Sequence, residues 1–558
     1  MLIYYAMNVV LVHIGEKFPD HLPYCLSQLQ VFVKCPIHLL VNRIHINKFN
    51  IANVFAIEDL IPSDEHNAFK SSFSLERGFW QYATERFFYL HEYVKLKNLN
   101  NIIHIENDNL IFYDFTKLQM QFESRPIWAI FDCETRAIPG LIYFRDSESL
   151  YPLVKHFVSS GSRGRNDMDA IGEFRNQFPD LIDSLPIITN YVEELPAMFH
   201  EKAEFFGVLF DGAAVGQYIG GLDLVCGRGH CFGIINDSTV FQCDKTTIDW
   251  VYEEGYKVLK LNSLRLVNLH VHSKDLRRWM SDPTSNVVSG ERIQMLCDVF
   301  LGSPEYFTWN PVIAPHTNKH KDLDSITEEW DNPRILFCYG LDLALFQTKV
   351  QFLKNRFVLV THNSDENITD KYLPILNDDK LISMYSQNPC VDHPKLNLVP
   401  IGIANSMWTH GNLDMLSQVM RHLSVIPKTK DVYFNFTIGT NFSKRNECYE
   451  ILKSRLEFQP MKSHPDYLHS LAQHKFAVCP DGNGIDSHRI WECYYLGVVP
   501  ILLDSVFARK LENVIPCIIL KSWHEFDIEE CKKYVSTTNT TAAYLSYYSN
   551  KFKTCAEQ

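Results

Sequence analysis

The sequence predicts an α/β protein of two successive modules, each built on parallel strands with its chemistry at strand ends. Three observations carry this. Apolar runs of strand length alternate with helical patterns through short connections, as in residues 8–14, 22–32 and 37–41. The alternation resumes later, with strands expected at 334–338, 357–361, 431–436, 476–479 and 498–503. Between the two series, residues 275–312 turn polar and proline-containing (SDPTSNVVSGE, then GSPEYFTWNPVIAP). The expected division is 1–282 for the first module, 283–310 for a linker with one short helix (IQMLCDVFL), and 311–558 for the second.

The composition sets limits on function. A chain of 558 residues with 46% hydrophobic and 21% charged residues is neither disordered nor fibrous. Its net charge of −13, without any Lys/Arg block, argues against general affinity for nucleic acid or anionic membrane. A phosphorylated small molecule stays open, because a helix N-terminus and one or two arginines suffice for it. The 15 cysteines are odd in number and sit largely in apolar runs, which suits reduced thiols. Cys226, His230, Cys231 and Cys243 match no zinc-finger or ribbon spacing. With no basic n-region and no long uncharged apolar stretch, the expectation is a cytoplasmic protein without a membrane span.

Taken in order, the opening strand, helix and strand form a parallel unit. A long helical stretch, 78–97, carries Arg86, either an ordinary surface arginine or a phosphate contact. Strand 101–105 then runs into Glu106, Asn107 and Asp108. Two carboxylates one residue apart at a sheet's mouth suit a hard divalent cation, one that would neutralise a diphosphate. Strand 140–145 precedes RNDMDAIGEF, where Asp167 and Asp169 either cap a helix or face a ligand. FFGVLFDGAAVGQYIGGLD offers Gln217, Tyr218 and Asp223 to an acceptor, or else simply makes tight turns. In NLHVHSKDLRRW, a two-residue strand period puts His270 and His272 on one face.

That order of motifs, across roughly residues 8–280, resembles metal-dependent glycosyltransferases of the GT-A type. The resemblance implies Mn²⁺ or Mg²⁺ held on a nucleotide diphosphate by Asp108 as principal ligand, with Glu106, His270 and His272. Glu106 stands where the family's motif has Asp. The resemblance also implies catalytic or acceptor-contacting roles for Asp167, Asp169 and Asp223.

In the second module, KFAVCPDGNGIDSHRIWECYYLGVVPILLD is the most informative stretch. A strand ends at Cys479, a glycine loop turns, and Asp486 or Ser487 caps a helix through residue 496. Glycines admit a close ligand, and free helix amides favour negative charge. Arg489 adds a bidentate cation, and Glu492 lies three residues further on the same helical face. Arg445, at an earlier strand-to-helix turn, can reach the same anion. His362, Asn363, Ser364 and Asp365 end one strand; Asn405, Trp408 and His410 lie in another loop.

This stretch resembles exostosin-like glycosyltransferases of the GT-B type. The resemblance implies a compact pair of Rossmann-like units. A nucleotide sugar would be held by Arg445, Gly482, Asn483, Gly484, Ser487, Arg489 and Glu492, with His488 as acid or base and no metal. Together the two resemblances imply a bifunctional enzyme moving sugars from nucleotide-diphosphate donors to hydroxyls of a glycan acceptor. The alternative is one catalytic module beside a glycan- or nucleotide-sugar-binding one. No Walker-type phosphate loop, HExxH or GxSxG motif occurs.

Overall fold

The structure, a computed structural model, describes residues 7–73, 78–189, 195–221, 239–242 and 245–557. The chain forms two compact units: Met1–Asp282 with Ser424–Pro427, and Pro283–Leu423 with Lys428–Gln558.

In the first unit β1 (Asn8–Val12), β2 (Ile37–Val41), β3 (Asn53–Ala56) and β4 (Ile102–Ile105) run parallel in the order β3-β2-β1-β4. Every residue of β1 and β4 is buried, and apart from Asn8 and His104 both strands are apolar. The helix Leu22–Phe32 sets Leu22, Cys25, Leu26 and Leu29 on its buried face, with Pro23 in its first turn. β5 (Asn109–Ile111) leaves the sheet. β6 (Ile127–Cys133), β7 (Arg136–Phe144) and β8 (Ile182–Leu185) complete it in the order β4-β7-β6-β8, with β7 antiparallel to both neighbours.

The strand order positions the site. The chain builds outward through β2 and β3, then returns to the other side of β1 with β4. Such a reversal opens a crevice beyond the carboxyl ends of β1 and β4, where ligands of open α/β sheets bind. Glu106, Asn107 and Asp108 follow β4 directly. A second sheet joins β9 (Val208–Leu209), β10 (Ile248–Glu253), β11 (Tyr256–Leu261) and β12 (Leu264–Leu266). β13 (Asn268–His270) pairs antiparallel with β5 and sets His270 opposite Asn109.

The second unit holds two sheets that are parallel throughout. β14 (Val299–Leu301), β15 (His320–Lys321), β16 (Ile335–Tyr339), β17 (Phe357–His362), β18 (Leu381–Ser386) and β19 (Leu396–Leu398) lie in the order β15-β14-β16-β17-β18-β19. β20 (Lys430–Tyr433), β21 (His474–Val478), β22 (Val499–Leu503) and β23 (Ile518–Leu520) follow one another in chain order. Residues 283–310 are therefore not a linker. The apolar run expected as one helix divides into the helix Gly290–Met295 and β14, which pairs with β16. Its length lets periodicity fit either state. The last helix, Leu545–Ala556, brings Tyr548, Phe552 and Cys555 into a core with Phe337, Val358, Val360 and Tyr385.

Among the described residues, no helix is long and apolar enough to cross a membrane.

Candidate functional site

In the first unit the β5–β13 ladder carries His270 to the acidic strand end. One ligand atom each from Glu106, Asp108 and His270 lies within 4.8 Å of the others. His270 Nε2 stands 3.4 Å from Glu106 Oε2 and 3.3 Å from Asp108 Oδ1. Asp108 Oδ1 is buried without a hydrogen-bond partner. Burying a charged oxygen in that way is costly unless a counter-charge meets it. Two carboxylates and an imidazole form a donor set that fits Mn²⁺ or Mg²⁺.

The charges support this arrangement. Burial opposes ionisation of Asp108, but Lys274 and His270 outweigh it and hold the carboxyl well below its usual range. Burial likewise opposes Glu106, and the Arg86 ion pair prevails. Burial pulls the His270 pKa down, whereas Asp108 and Glu106 raise it above its ordinary value. The pocket thus draws a proton where a cation would sit.

Arg86 is only 8% exposed and is no surface arginine. It pairs with Glu106 and, at 3.0 Å, with Asp167 Oδ2, so its guanidinium is committed to carboxylates and not open to phosphate. Asp167 begins the helix Asp167–Gln177, and the N-cap is Asn166, whose side chain accepts the Asp169 N–H at 2.9 Å. Burial pushes the Asp167 carboxyl up to about 6, even beside Arg86. Asp169 is half-buried one step along the same turn. Asp223 lies outside the described residues, as do Cys226, His230, Cys231 and Cys243.

His272 falls outside the Glu106–Asp108–His270 group. β13 stops at His270, and the chain turns there: the His272 N–H donates to His270 O at 3.0 Å, and that of Lys274 to Val271 O at 2.9 Å. Strand alternation therefore does not extend to His272. The turn instead presents Lys274, at a φ of +65°, to Asp108 as an ion pair.

Asp211 was not evident from sequence. Its buried carboxylate accepts the N–H groups of Val215 and Gly216, each at 2.9 Å, and that of His270 at 3.0 Å. It fixes the backbone of the histidine to a helix start. The available signal was an acid just before the small-residue run GAAVG. Space is equally controlled: a Cβ on Gly216 would stand 1.8 Å from His270 O, and one on Gly140 2.6 Å from His270 Nδ1.

In the second unit the helix His488–Tyr495 starts after the glycine loop, with Ser487 at its N-cap and no side-chain cap bond. Asp486 does not cap it either. Its carboxylate accepts the Ile401 N–H at 2.7 Å and Trp491 Nε1 at 2.8 Å, and burial pushes its pKa up to about 8. Arg489 donates to the Asn435 carbonyl beneath the ring of Tyr467, 5.2 Å from its centroid. Arg445 donates to Asp481 O and Thr437 O, both at 2.9 Å. Burial and the neighbouring Arg489 both lower the Arg445 pKa. Among the described residues, these two guanidiniums bond carbonyls and neither forms a carboxylate ion pair.

Gly482 lies above Arg445, where a Cβ would meet Nη2 at 3.3 Å; Gly484 lies against Asn388, and Asn483 between them is exposed. Glu492 is buried, and Tyr467 already donates to its Oε2 at 2.6 Å. His488 Nδ1 is 2.9 Å from Gly402 O. A carbonyl only accepts, so Nδ1 carries a proton, and the Nε2 lone pair is the one available in the neutral imidazole. His488, His362, Asn363, Ser364, Asp365, Asn405 and Trp408 line one cavity of about 290 Å³. His410 stacks on Trp408.

No protein-family model matches the chain, and no curated protein matches it. Among solved structures it is similar to the apo form of mouse xyloside xylosyltransferase 1, with 12% identity and a TM-score of 0.26 over 36% of this chain and 92% of that one. It is also similar to the galactosyltransferase LgtC in complex with donor and acceptor sugar analogs. There the identity is 10% and the TM-score 0.24, over 32% of this chain and 73% of that one. An active-site mutant of LgtC gives 12% and 0.25, over 34% and 82%.

Proposed function

We propose that the chain is a glycosyltransferase that moves a sugar from a nucleotide-diphosphate donor to a hydroxyl of a glycan acceptor. In this reading the first unit is of the GT-A type and works with a divalent cation, and the second is an exostosin-like GT-B pair that works without one. The observation that carries the reading is the Glu106–Asp108–His270 group at the strand-order reversal, with Asp108 Oδ1 buried and facing the His270 imidazole without a hydrogen bond. Those three residues would hold Mn²⁺ or Mg²⁺, which supplies Lewis-acid stabilisation to a diphosphate leaving group.

The chain's own residues do the rest. Arg86 keeps Glu106 ionised and aimed; Asp211 and the two glycines hold His270 in place. Lys274 brings a cation to the mouth of the site, suited to a phosphate oxygen. In the second unit Arg445 and Arg489 bond carbonyls and form no close carboxylate pair among the described residues, and a diphosphate would meet their charge. His488 Nε2 would take the proton of an acceptor hydroxyl. Donor and glycan acceptor are the partners in this reading; nucleic acid is not one, and among the described residues no helix is long and apolar enough to cross a membrane.

One observation favours the alternative in which the second unit binds without catalysis: Glu492, expected to help hold the nucleotide sugar, is already bonded to Tyr467. Release of nucleoside diphosphate from a panel of nucleotide sugars, with and without Mn²⁺, tests both readings. Two donor-selective activities, one metal-dependent and lost in Asp108→Ala, the other metal-independent and lost in Glu492→Ala, are expected of two catalytic units. Loss of all turnover in Asp108→Ala alone would leave the second unit a binding module. No turnover with any donor and mixed glycan acceptors would overturn the enzyme reading.

A further inference from the structure

The first sheet of the second unit ends in the 290 Å³ cavity, whose floor is a chain of side-chain amides. Gln294 Oε1 accepts from Asn363 Nδ2 at 2.9 Å, and Asn363 Oδ1 accepts from Asn405 Nδ2 at 3.0 Å. Asn405 Oδ1 in turn accepts the Glu291 N–H at 2.9 Å. Asn363 has a φ of +58°, and Gly290 admits it so closely that a Cβ there would stand 1.8 Å from Asn363 Oδ1. These amides are fixed before any ligand arrives: Gln294 is buried and also bonded to Tyr339, while the half-buried Asn363 and Asn405 each keep an amide N–H beyond these bonds.

The rim has a different character. Trp309 and Trp408 line the cavity while 64% and 53% exposed. Large indoles left open to water beside organised amides mark a binding site better than a folding feature. The charge pattern narrows the ligand. Among the described residues, no Lys or Arg lines the cavity, and Asp365 is the one carboxylate that does. Glu291 is buried beside it, accepting from Asn310 Nδ2 at 2.7 Å and Ser406 Oγ at 3.0 Å. Burial drives the His362 pKa down to about 4, so that imidazole adds no positive charge near neutrality.

We propose that this cavity binds a neutral pyranose, with its C–H face on an exposed indole and its hydroxyls on the amide floor, and that it rejects anionic sugars and nucleotides. A pyranose presents an apolar face and a rim of groups that both donate and accept, which match indole and amide in turn. An anion would enter beside Asp365 and Glu291 with no cation to pair it, at a desolvation cost. A diphosphate is served instead by Arg445 and Arg489. The proposal rests on the glycan-acceptor reading of the second unit, and it can be tested without any turnover.

The test is saturation-transfer NMR with intrinsic tryptophan fluorescence on the full chain, titrated with the methyl β-glycopyranosides of glucose, galactose and xylose. Glucuronate and uridine diphosphate serve as competitors. At least one neutral glycoside is expected to saturate, to weaken about tenfold or more in Trp408→Ala or Trp309→Ala, and to persist in the presence of either anion. Both tryptophans are exposed, so unchanged melting of the variants verifies their fold. Saturable sugar binding by a wild-type chain that turns over no donor faults the transfer reading alone. Failure of every neutral glycoside to saturate overturns the proposal, as does displacement by glucuronate or uridine diphosphate. Affinity that neither tryptophan variant changes overturns it as well.

Discussion

Arg86 shows how much a single side chain decides in the first unit. It is buried against two carboxylates, Glu106 and Asp167, and its charge is what makes their burial tolerable. Removing one partner of such a group leaves the other charges uncompensated, which costs about 3–5 kcal/mol. Arg86→Met is expected to lose stability of that order in urea denaturation, and Arg86→Met with Glu106→Gln to recover part of it. Equal loss in both variants would attribute the effect to packing instead. Sequence disclosed Glu106 and Asp108, because an acid-x-acid pair after an apolar strand is a local pattern. His270 was legible through its residue type. That β13 ends at His270, which takes His272 out of the group and puts Lys274 in, depends on a turn the local pattern does not encode. Asp211 reaches one backbone N–H of a distant strand, that of His270, a pairing invisible in a single sequence.

At the scale of elements, two helices are clasped by one imidazole. His66, on the helix Asp64–Ser72, stands 3.1 Å from Glu85 and 2.9 Å from Glu92 on the helix Phe79–Lys97, which also carries Arg86. Burial pulls the His66 pKa down, yet Glu85 and Glu92 raise it above 6.5. A raised native pKa means that the folded state holds the proton more tightly. Its contribution is complete below pH 6.5 and is lost as pH rises through the native value. The melting temperature is expected to fall over that window, and His66→Gln to flatten the fall; an unchanged slope in the variant would place the titration elsewhere. The second prediction concerns His270. Gly216→Ala would push a Cβ into His270 O, so Mn²⁺ binding by calorimetry is expected to weaken by about tenfold or more with the fold retained. Unchanged affinity would mean that the strand yields without cost. Elements with strong patterns were legible, such as the helix Leu22–Phe32, whereas β14 was hidden in an ambiguous apolar run.

At the scale of the whole molecule, the core is not shared evenly along the chain. The first unit's cluster runs from Met7 to Met280 and takes in Val425 from the segment Ser424–Pro427, whose Ser424 carbonyl accepts the Asn50 N–H at 2.5 Å. The second unit has separate clusters of its own, one closed by the last helix. No local pattern announces either long return of the chain, which is why the sequence-based boundary near 282 misses the 424–427 segment. Two cores of this kind should melt as two transitions, and a ligand stabilises only the unit that binds it. With Mn²⁺ at a hundredfold its dissociation constant, the binding unit gains about 2.7 kcal/mol. Differential scanning calorimetry of the full chain is expected to show one transition rising with Mn²⁺ and the other fixed, and Asp108→Asn to abolish the rise. If both transitions move together, the units unfold as one body. If neither moves, the Glu106–Asp108–His270 group holds no metal, and its charges serve only to bind Arg86 and Lys274 to the sheet.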